Sequence, residues 1–107
     1  MAKRRKKRYI LVASEPQTNP DQIAKSIFTS YKLLFGLFGL ASAELRVIRN
    51  YPDKGMTVIR CALEHVPRLL LAVAFIRKID SERVALRVMT ISGTMKKIKE
   101  KIRSFQS

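Results

Sequence analysis

The chain of 107 residues has room for one domain with a single modest core, which excludes a two-domain architecture. Apolar residues make up 47% of the sequence, which excludes a disordered polycation. With 22 Lys and Arg residues against 8 Asp and Glu residues, the net charge is +14. We therefore expect a polyanionic partner, nucleic acid before an anionic membrane surface.

The positive charge is concentrated at the two ends of the chain. Residues 1–8 contain six Lys and Arg residues and residues 94–103 contain five, which together are half of the 22. We therefore predict a flexible basic arm over residues 1–7 and a single domain over residues 8–107. A lone cysteine, Cys61, and the lack of a readable signal peptide predict a reducing, cytoplasmic location.

The first half of the domain predicts a strand followed by a helix. Residues 9–13 (YILVA) form a continuous apolar run of strand length, which predicts burial on both faces. Asn19 and Pro20 are typical of an N-cap and a first helical residue. Gly36 and Gly39 are predicted to end this helix or to loosen its last turn.

The second half predicts three strands and two helices. The strands are expected over 44–50, 56–62 and 83–91, and the helices over 64–79 and about 94–105. Residues 51–55 (YPDKG) are typical of a hairpin connection. The last helix is basic but carries one apolar face, which we expect to pack against the domain.

The elements follow the order β-α-β-β-α-β, with one additional helix. Two helices on one face of four strands predict an α+β fold, a ferredoxin-like sandwich similar to the RNA-recognition motif. We expect a four-stranded antiparallel sheet with the first and third strands central, plus a C-terminal helix. Because this fold supports many functions, function has to be argued from particular residues.

The residues indicate no catalytic site and no metal site. Cys61 and His65 are one Cys and one His, whereas a structural zinc needs four ligands. No phosphate-loop or nucleophile motif occurs, and the acidic residues are scattered. The third strand (GMTVIRCA) lacks the aromatic residues that RNA-recognition motifs stack on bases, and Tyr9 is the one candidate on the first strand. We predict no catalytic residue, metal or cofactor on this chain.

The sheet face that points away from the two helices is predicted to be a protein interface. Strand alternation places five residues there: Met56, Val58, Arg60, Arg87 and Met89. Met and Arg are enriched in the cores of protein interfaces. The alternative is that the last helix folds over this face, and the alternation does not decide between the two.

The turn before the last helix predicts a phosphate site. Ser92, Gly93 and Thr94 are small and leave backbone N–H groups accessible, while Lys96 and Lys97 lie at the positive end of the helix dipole, where cations are unfavourable. The alternative is a simple Thr94 N-cap with solvated lysines. The predicted RNA-binding residues are Lys3, Arg4, Arg5, Lys6, Lys7, Arg8, Ser92, Gly93, Thr94, Lys96, Lys97, Lys99, Lys101 and Arg103.

Several short motifs together resemble a known family. They are Lys7-Arg8-Tyr9, residues 55–61 (GMTVIRC), His65-Val66, Arg83-Val84 and residues 91–96 (ISGTMK). In this order they resemble the protein component 2 family of archaeal and eukaryotic ribonuclease P. Pro67 directly after His65-Val66 departs from the family pattern, as does the short arm before Tyr9.

The resemblance implies a fold and a set of partners. It implies a fold close to the RNA-recognition motif and a protein subunit of the endoribonuclease that removes 5′ leaders from precursor tRNA. It also implies that catalysis belongs to the RNA with bound Mg²⁺, that a second, TIM-barrel-like protein subunit is a partner, and that homodimerisation within a heterotetramer is an option. By position, it marks Arg60, Ser92, Gly93, Thr94 and Lys96.

Three other functions remain open at this point. Another structural RNA-binding protein, such as a ribosomal protein, would have the same basic composition. A ligand-sensing ferredoxin-like domain would require Gly-rich turns between strands and helices and a modest charge, and the chain has neither. A membrane-surface protein is a weaker rival, which co-sedimentation with vesicles against binding to structured RNA would separate. A membrane span is not expected, because the longest apolar stretch, residues 69–76, is too short to cross a bilayer.

Overall fold

A computed structural model describes residues 5–105 of the chain. Its main sheet is antiparallel and contains β1 (Lys7–Glu15), β2 (Arg46–Tyr51), β3 (Met56–Ala62) and β6 (Ala85–Ser92). A separate two-stranded ribbon pairs β4 (Lys78–Ile79) with β5 (Glu82–Arg83). The helices are α1 (Pro20–Ala43), α2 (Val66–Ala74) and α3 (Met95–Ser104).

The strands of the main sheet lie in the order β2-β3-β1-β6, so β1 and β3 are central. The predicted α+β class, the four-stranded antiparallel sheet, the central pair and the C-terminal helix are therefore confirmed.

A hydrogen-bonded chain of side chains links the β2–β3 hairpin to the start of α1: Thr57 Oγ1 donates to Asn50 Oδ1 at 2.6 Å, and Asn50 Nδ2 donates to Asp21 Oδ1 at 2.7 Å.

The sheet is covered on both faces by helices. Helices α1 and α2 pack on one face over a core that contains Ile10, Val12, Ile59 and Cys61. Helix α3 packs on the other face, where Ile98 and Ile102 contact a cluster that contains Leu11, Met56 and Val58. Because Ile10, Leu11 and Val12 are all fully buried, the predicted burial of the first strand on both faces is confirmed.

Helix α2 is shorter than the sequence predicted. It ends at Ala74 rather than at residue 79, and the chain then forms the β4-β5 ribbon. Asp80 and Ser81 have φ values of 51° and 70° between the paired residues Ile79 and Glu82. Two consecutive left-handed residues make a tight two-residue hairpin turn, which a continuing helix could not contain.

Helix α1 bends at Gly36 and continues to Ala43. Gly36 has φ 76° and ψ 178°, which is outside the helical range and is open to glycine without a Cβ penalty. The glycine therefore kinks the helix, whereas the sequence predicts that it ends the helix or loosens its last turn.

By length and composition alone α1 could cross a membrane, but in this domain Ile23, Ile27 and Tyr31 are fully buried in the core.

Candidate nucleic-acid interface

Helix α3 begins as a capped helix directly after β6. Thr94 is the N-cap: its Oγ1 accepts a hydrogen bond from the backbone N–H of Lys97 at 3.4 Å. The Thr94 N–H in turn donates to Ser92 Oγ at 3.2 Å. Thr94 therefore caps the helix, as the alternative interpretation of the turn expects. The backbone N–H groups of Met95 and Lys96, in the first turn, have no acceptor within the helix.

Arg8 lies beside the Ser92–Gly93–Thr94 turn. Tyr9 pairs with Ser92 across β1 and β6, which brings the start of β1 to the end of β6. A Cβ atom built on Gly93 would lie 3.4 Å from Arg8 Nη1. The structure thus places the Arg8 guanidinium beside a turn that leads into Lys96 and Lys97. Because Gly93 has no side chain, the guanidinium can approach the turn closely.

The basic residues of α3 point to solvent while its apolar residues anchor the helix. Ile98 is fully buried and Ile102 is 6% exposed, and Met95 packs against the same cluster. All five predicted RNA-binding cations of the helix are exposed: Lys96, Lys97, Lys99, Lys101 and Arg103. Within residues 5–105, the ion pairs that form do not involve these five side chains. They are available to an external anion.

The basic residues just before β1 are held by acidic residues of the domain. Arg5 forms ion pairs with Glu44 and Glu64, and Lys7 forms an ion pair with Glu44. The Lys7 ammonium first, and the Arg5 guanidinium second, lower the pKa of the Glu44 carboxyl. Strand β1 also begins at Lys7, one residue before the predicted domain start.

Residues 5–7 of the predicted arm are therefore held against the domain. The Leu63 N–H donates to the Lys6 carbonyl at 2.8 Å, which also fixes the backbone at that point. Of the predicted RNA-binding residues, Lys3 and Arg4 lie outside the described residues. Arg5 and Lys7 already have carboxylate partners, whereas Arg8, whose Nη1 donates to the Lys7 carbonyl at 2.9 Å, and the α3 cations form no ion pair among residues 5–105.

The predicted open sheet face is largely covered. Val58 is fully buried and Met56 is 9% exposed beneath α3, and Met89 packs against the same cluster. Arg60 is half-buried and Arg87 is exposed. The prediction that Met56 and Val58 form an open protein interface is therefore wrong, because α3 uses this apolar surface to dock.

An exposed apolar surface occurs instead on the helical layer. Leu33, Leu37 and Phe38 of α1 are 82%, 67% and 92% exposed. Phe75, after α2, is 60% exposed and shares a cleft with Leu33 and the less exposed Leu34. We call these five residues the α1 patch. The sequence does not mark the patch, because apolar residues recur along the whole of α1, whereas those that are buried lie mainly in its first half.

A basic cleft was also missed. Arg49 and Tyr51 of β2 and Lys54 of the β2–β3 turn line a cavity of about 310 Å³ with three residues of α3: Lys99, Ile102 and Arg103. Lys99 and Arg103 were predicted from the charge of the helix. Their neighbours come from elements about 50 residues earlier, so no local motif marks them.

The one cysteine of the chain is poorly suited to nucleophilic chemistry. Cys61 is fully buried in the core, and burial raises the pKa of its thiol to about 11. A thiol with that pKa is protonated at neutral pH, and the thiolate is the reactive form. Among residues 5–105, no group of three or more His, Cys, Asp or Glu side chains could hold a metal ion.

Comparison with known proteins assigns the chain. The profile of the Rpp14/Pop5 family matches residues 8–103. The chain belongs to the Rpp14/Pop5 family. This confirms the family that the short motifs predicted, and the matched region extends from the residue beside the Ser92–Thr94 turn to the last cation of α3.

Relatives agree with this membership, and a solved structure has the same fold. Ribonuclease P protein component 2 of Pyrococcus furiosus is 32% identical over 103 residues, which cover 94% of this chain and 86% of the relative. The protein of the same name from Methanosarcina acetivorans is 33% identical over 101 residues, 92% of this chain and 74% of the relative. A chain in the cryo-EM structure of yeast ribonuclease MRP has the same fold, with a TM-score of 0.64 at 12% identity, and the match covers 98% of this chain and 97% of that one.

Proposed function

We propose that this Rpp14/Pop5 family chain is a protein subunit of ribonuclease P that stabilises the catalytic RNA through phosphate contacts. The names of its relatives support the assignment to ribonuclease P. The observation that carries the RNA-binding role is the outer face of α3, whose exposed lysines and arginine lack carboxylate partners among the described residues. Cations in this arrangement bind phosphates without reading bases.

The Ser92–Gly93–Thr94 turn is proposed as one phosphate position. An anion there would accept hydrogen bonds from the first-turn N–H groups of α3 and would be attracted by Lys96, Lys97 and Arg8. It would also remove the local conflict between two lysines and the positive end of the helix dipole. The ordinary capping by Thr94 occupies the N–H of Lys97 only, so capping and anion binding are compatible.

Catalysis is assigned to the RNA of the particle. The Mg²⁺ that such an activity requires is assigned to the RNA as well, because this chain offers a poor donor set. Mg²⁺ prefers carboxylate and other oxygen ligands, whereas no acidic cluster occurs in residues 5–105 and the proposed RNA surface is cationic. The proposal therefore gives this protein a structural role and assigns the chemical steps to the RNA.

A second protein subunit is proposed to dock on the α1 patch. Leu33, Leu37 and Phe38 are exposed within six residues of α1, and a concentration of exposed apolar side chains is typical of interaction sites. Lys25, Arg77 and Lys78 line the cleft next to the patch against one acid, Asp80. A partner with an apolar centre and an acidic rim complements this surface, which neither RNA nor an anionic lipid headgroup does. The TIM-barrel-like subunit of ribonuclease P is the proposed occupant.

The remaining assignments follow the same proposal. A ferredoxin-like topology is supported by the order β2-β3-β1-β6 and by the two helices on one face. A cytoplasmic location rests on the lone Cys61. The proposal includes homodimerisation within a heterotetramer, as the family resemblance implies.

The experiment is reconstitution with the ribonuclease P RNA of the source organism. Affinity and 5′-leader cleavage of a precursor tRNA are measured for the wild type and for Lys96→Glu/Lys97→Glu. The control is Lys32→Glu/Arg83→Glu, which makes the same change in charge on α1 and on the β4-β5 ribbon. The proposal expects loss of affinity in the α3 variant alone. If the wild type binds this RNA no better than an unrelated structured RNA, the ribonuclease P assignment is wrong.

A further inference from the structure

The basic cleft between β2 and α3 has the composition of an anion site. Four of its six lining residues are cations: Arg49, Lys54, Lys99 and Arg103. The other two, Tyr51 and Ile102, form an aromatic and aliphatic floor that continues into the α3 core cluster. The cavity of about 310 Å³ is at the small end of ligand sites in proteins.

The strand register explains why β2 contributes these side chains. Arg49 pairs with Val58 and Tyr51 pairs with Met56. Directly opposite residues in an antiparallel pair point to the same face, and Val58 and Met56 lie on the α3 face. Arg49 and Tyr51 are two residues apart, so they share that face, and the irregularity between Val47 and Arg49 places Arg49 opposite Val58.

The helix and the turn complete the cleft. Lys99 and Arg103 are four residues apart on α3, so they lie one above the other on the same side of the helix. The Lys54 N–H donates to the Tyr51 carbonyl at 3.0 Å, which fixes the turn that presents the Lys54 side chain. Three separate elements thus direct cations into one concavity.

The charge of the cleft is not balanced from within. Within the described part of the chain, the one ion pair at the cleft joins Lys54 Nζ to Asp53 Oδ2 at 3.4 Å, and the Asp53 side chain is 78% exposed. Such a pair contributes little. Four like charges around one cavity repel each other, and an anion in the cavity would replace that repulsion by attraction.

Arg49 adds a feature that a plain phosphate site does not need. Its guanidinium carbon lies 5.3 Å from the centroid of the Tyr51 ring. This cation–π contact places the planar guanidinium beside an aromatic ring, and Arg49 is exposed, so a second planar group can reach it. Nucleobases that are unstacked from their neighbours bind to arginine planes in this way.

We infer that the β2–α3 cleft binds an unpaired nucleotide of the RNA, with its phosphate on Lys54, Lys99 and Arg103 and its base against Arg49. This inference rests on the proposed RNA-binding function and adds a second contact point on α3, at the opposite end from the Ser92–Thr94 turn. An unpaired nucleotide fits because a concave site with a planar wall admits a splayed base, whereas a duplex offers its phosphates and a shallow groove.

The test compares two RNA probes and three variants. The probes are a fluorescent single-stranded RNA of mixed sequence and a duplex of the same length. Arg49→Glu/Lys54→Glu removes two of the cations and adds two acids. Arg49→Lys keeps the charge and removes the planar guanidinium. The charge-matched control is Lys32→Glu/Arg83→Glu, and a thermal melt of each variant shows that the fold is intact.

The expected result is selective loss for the single strand. Arg49→Glu/Lys54→Glu should weaken single-strand binding more than tenfold and reduce the slope of log affinity against log salt by about 0.7 for each lost phosphate contact. Arg49→Lys should weaken single-strand binding by roughly fivefold, since one stacked base is lost, with duplex binding unchanged. Equal losses on both probes, or single-strand binding unchanged in Arg49→Lys, would overturn the inference.

The same assay separates this inference from the proposed function. If the cleft variants bind ribonuclease P RNA normally while Lys96→Glu/Lys97→Glu does not, the cleft inference is wrong and the RNA-subunit proposal remains. If the wild type itself binds neither the probes nor ribonuclease P RNA, both are wrong.

Discussion

The Arg5 guanidinium lies 2.6 Å from the Glu44 carboxylate, although the two residues are 39 positions apart in the chain. Glu44 is the residue in left-handed conformation that ends α1, with φ 53°, and it also pairs with Lys7 at the start of β1. One carboxylate therefore connects the N-terminal segment to the C-terminal end of α1. Its position explains why a segment read as an arm is held against the domain.

This pairing predicts a pH-dependent contribution of Glu44 to stability. Lys7 and Arg5 lower the pKa of the Glu44 carboxyl in the folded state. A carboxyl with a lowered folded pKa stabilises the fold above its unfolded pKa of about 4.3, and that contribution is lost as the pH falls through the folded pKa. Glu44→Gln should therefore lower the Tm at neutral pH, and the difference from wild type should shrink in acid.

Thermal melts at pH 7 and at about pH 3 test this prediction. Glu82→Gln is the matched control, since Glu82 is an exposed acid outside the ion pairs recorded in residues 5–105. A Tm difference for Glu44→Gln that stays constant across this pH range would mean that the carboxylate charge is not the cause.

Local patterns in the sequence were sufficient for most of the fold. The apolar run in β1 predicted a strand buried on both faces, and Asn19-Pro20 and Thr94 predicted the starts of α1 and α3. These features depend on neighbours in the sequence. The end of α2 was missed because the two left-handed residues Asp80 and Ser81 have no strong sequence signal without a glycine.

The candidate site was less predictable because it depends on contacts across the fold. The charge of α3 was visible in the sequence. The sequence could not decide whether Met56 and Val58 are covered by α3 or by a partner protein. The pairing of Arg5 with Glu44 and the meeting of Arg49 with Lys99 join segments that are about 40 to 50 residues apart. Charge counts alone could not place either.

The start of α3 predicts an opposite response of RNA binding and stability. Lys96→Glu/Lys97→Glu should weaken binding to ribonuclease P RNA more than tenfold, because each change removes an attraction and adds a repulsion. The free protein should keep its Tm or gain slightly, since acids are favourable in the first turn of a helix. Lys101→Glu is the comparison within α3: it makes one such charge reversal at the last turn, where a cation is favourable, and should lower the Tm slightly.

Gly93 tests the backbone part of the same site. Gly93 has an ordinary backbone conformation, and an added Cβ would lie 3.4 Å from Arg8 Nη1, so Gly93→Ala should fold normally. Gly93→Val keeps every charge but blocks the close approach of a phosphate, and we expect weaker RNA binding with an unchanged Tm. Reduced binding together with a lower Tm would assign this turn a structural role only.

The docking of α3 predicts that one buried side chain anchors the helix that carries the proposed RNA-binding cations. Ile98 is fully buried against the cluster that contains Leu11 and Val58. Ile98→Ala should lower the free energy of unfolding by about 2–5 kcal/mol, through lost burial and a cavity. Urea denaturation measures this change. If the cost is near zero, α3 is not anchored as the structure describes.

The α1 patch predicts a variant that separates protein binding from RNA binding. Leu37→Glu/Phe38→Glu replaces two side chains that are 67% and 92% exposed, so the Tm should change little. Charges placed in an apolar interface should abolish capture of the second protein subunit, whose rim is expected to be acidic. Co-purification with that subunit measures the first effect, and affinity for ribonuclease P RNA measures the second. Leu37→Lys/Phe38→Lys is the sign-reversed control and should weaken capture less, because lysines attract an acidic rim. If both variants co-purify like the wild type, the partner docks elsewhere, and the exposed residues Arg87 and Ile91 of the edge strand β6 become the next surface to mutate.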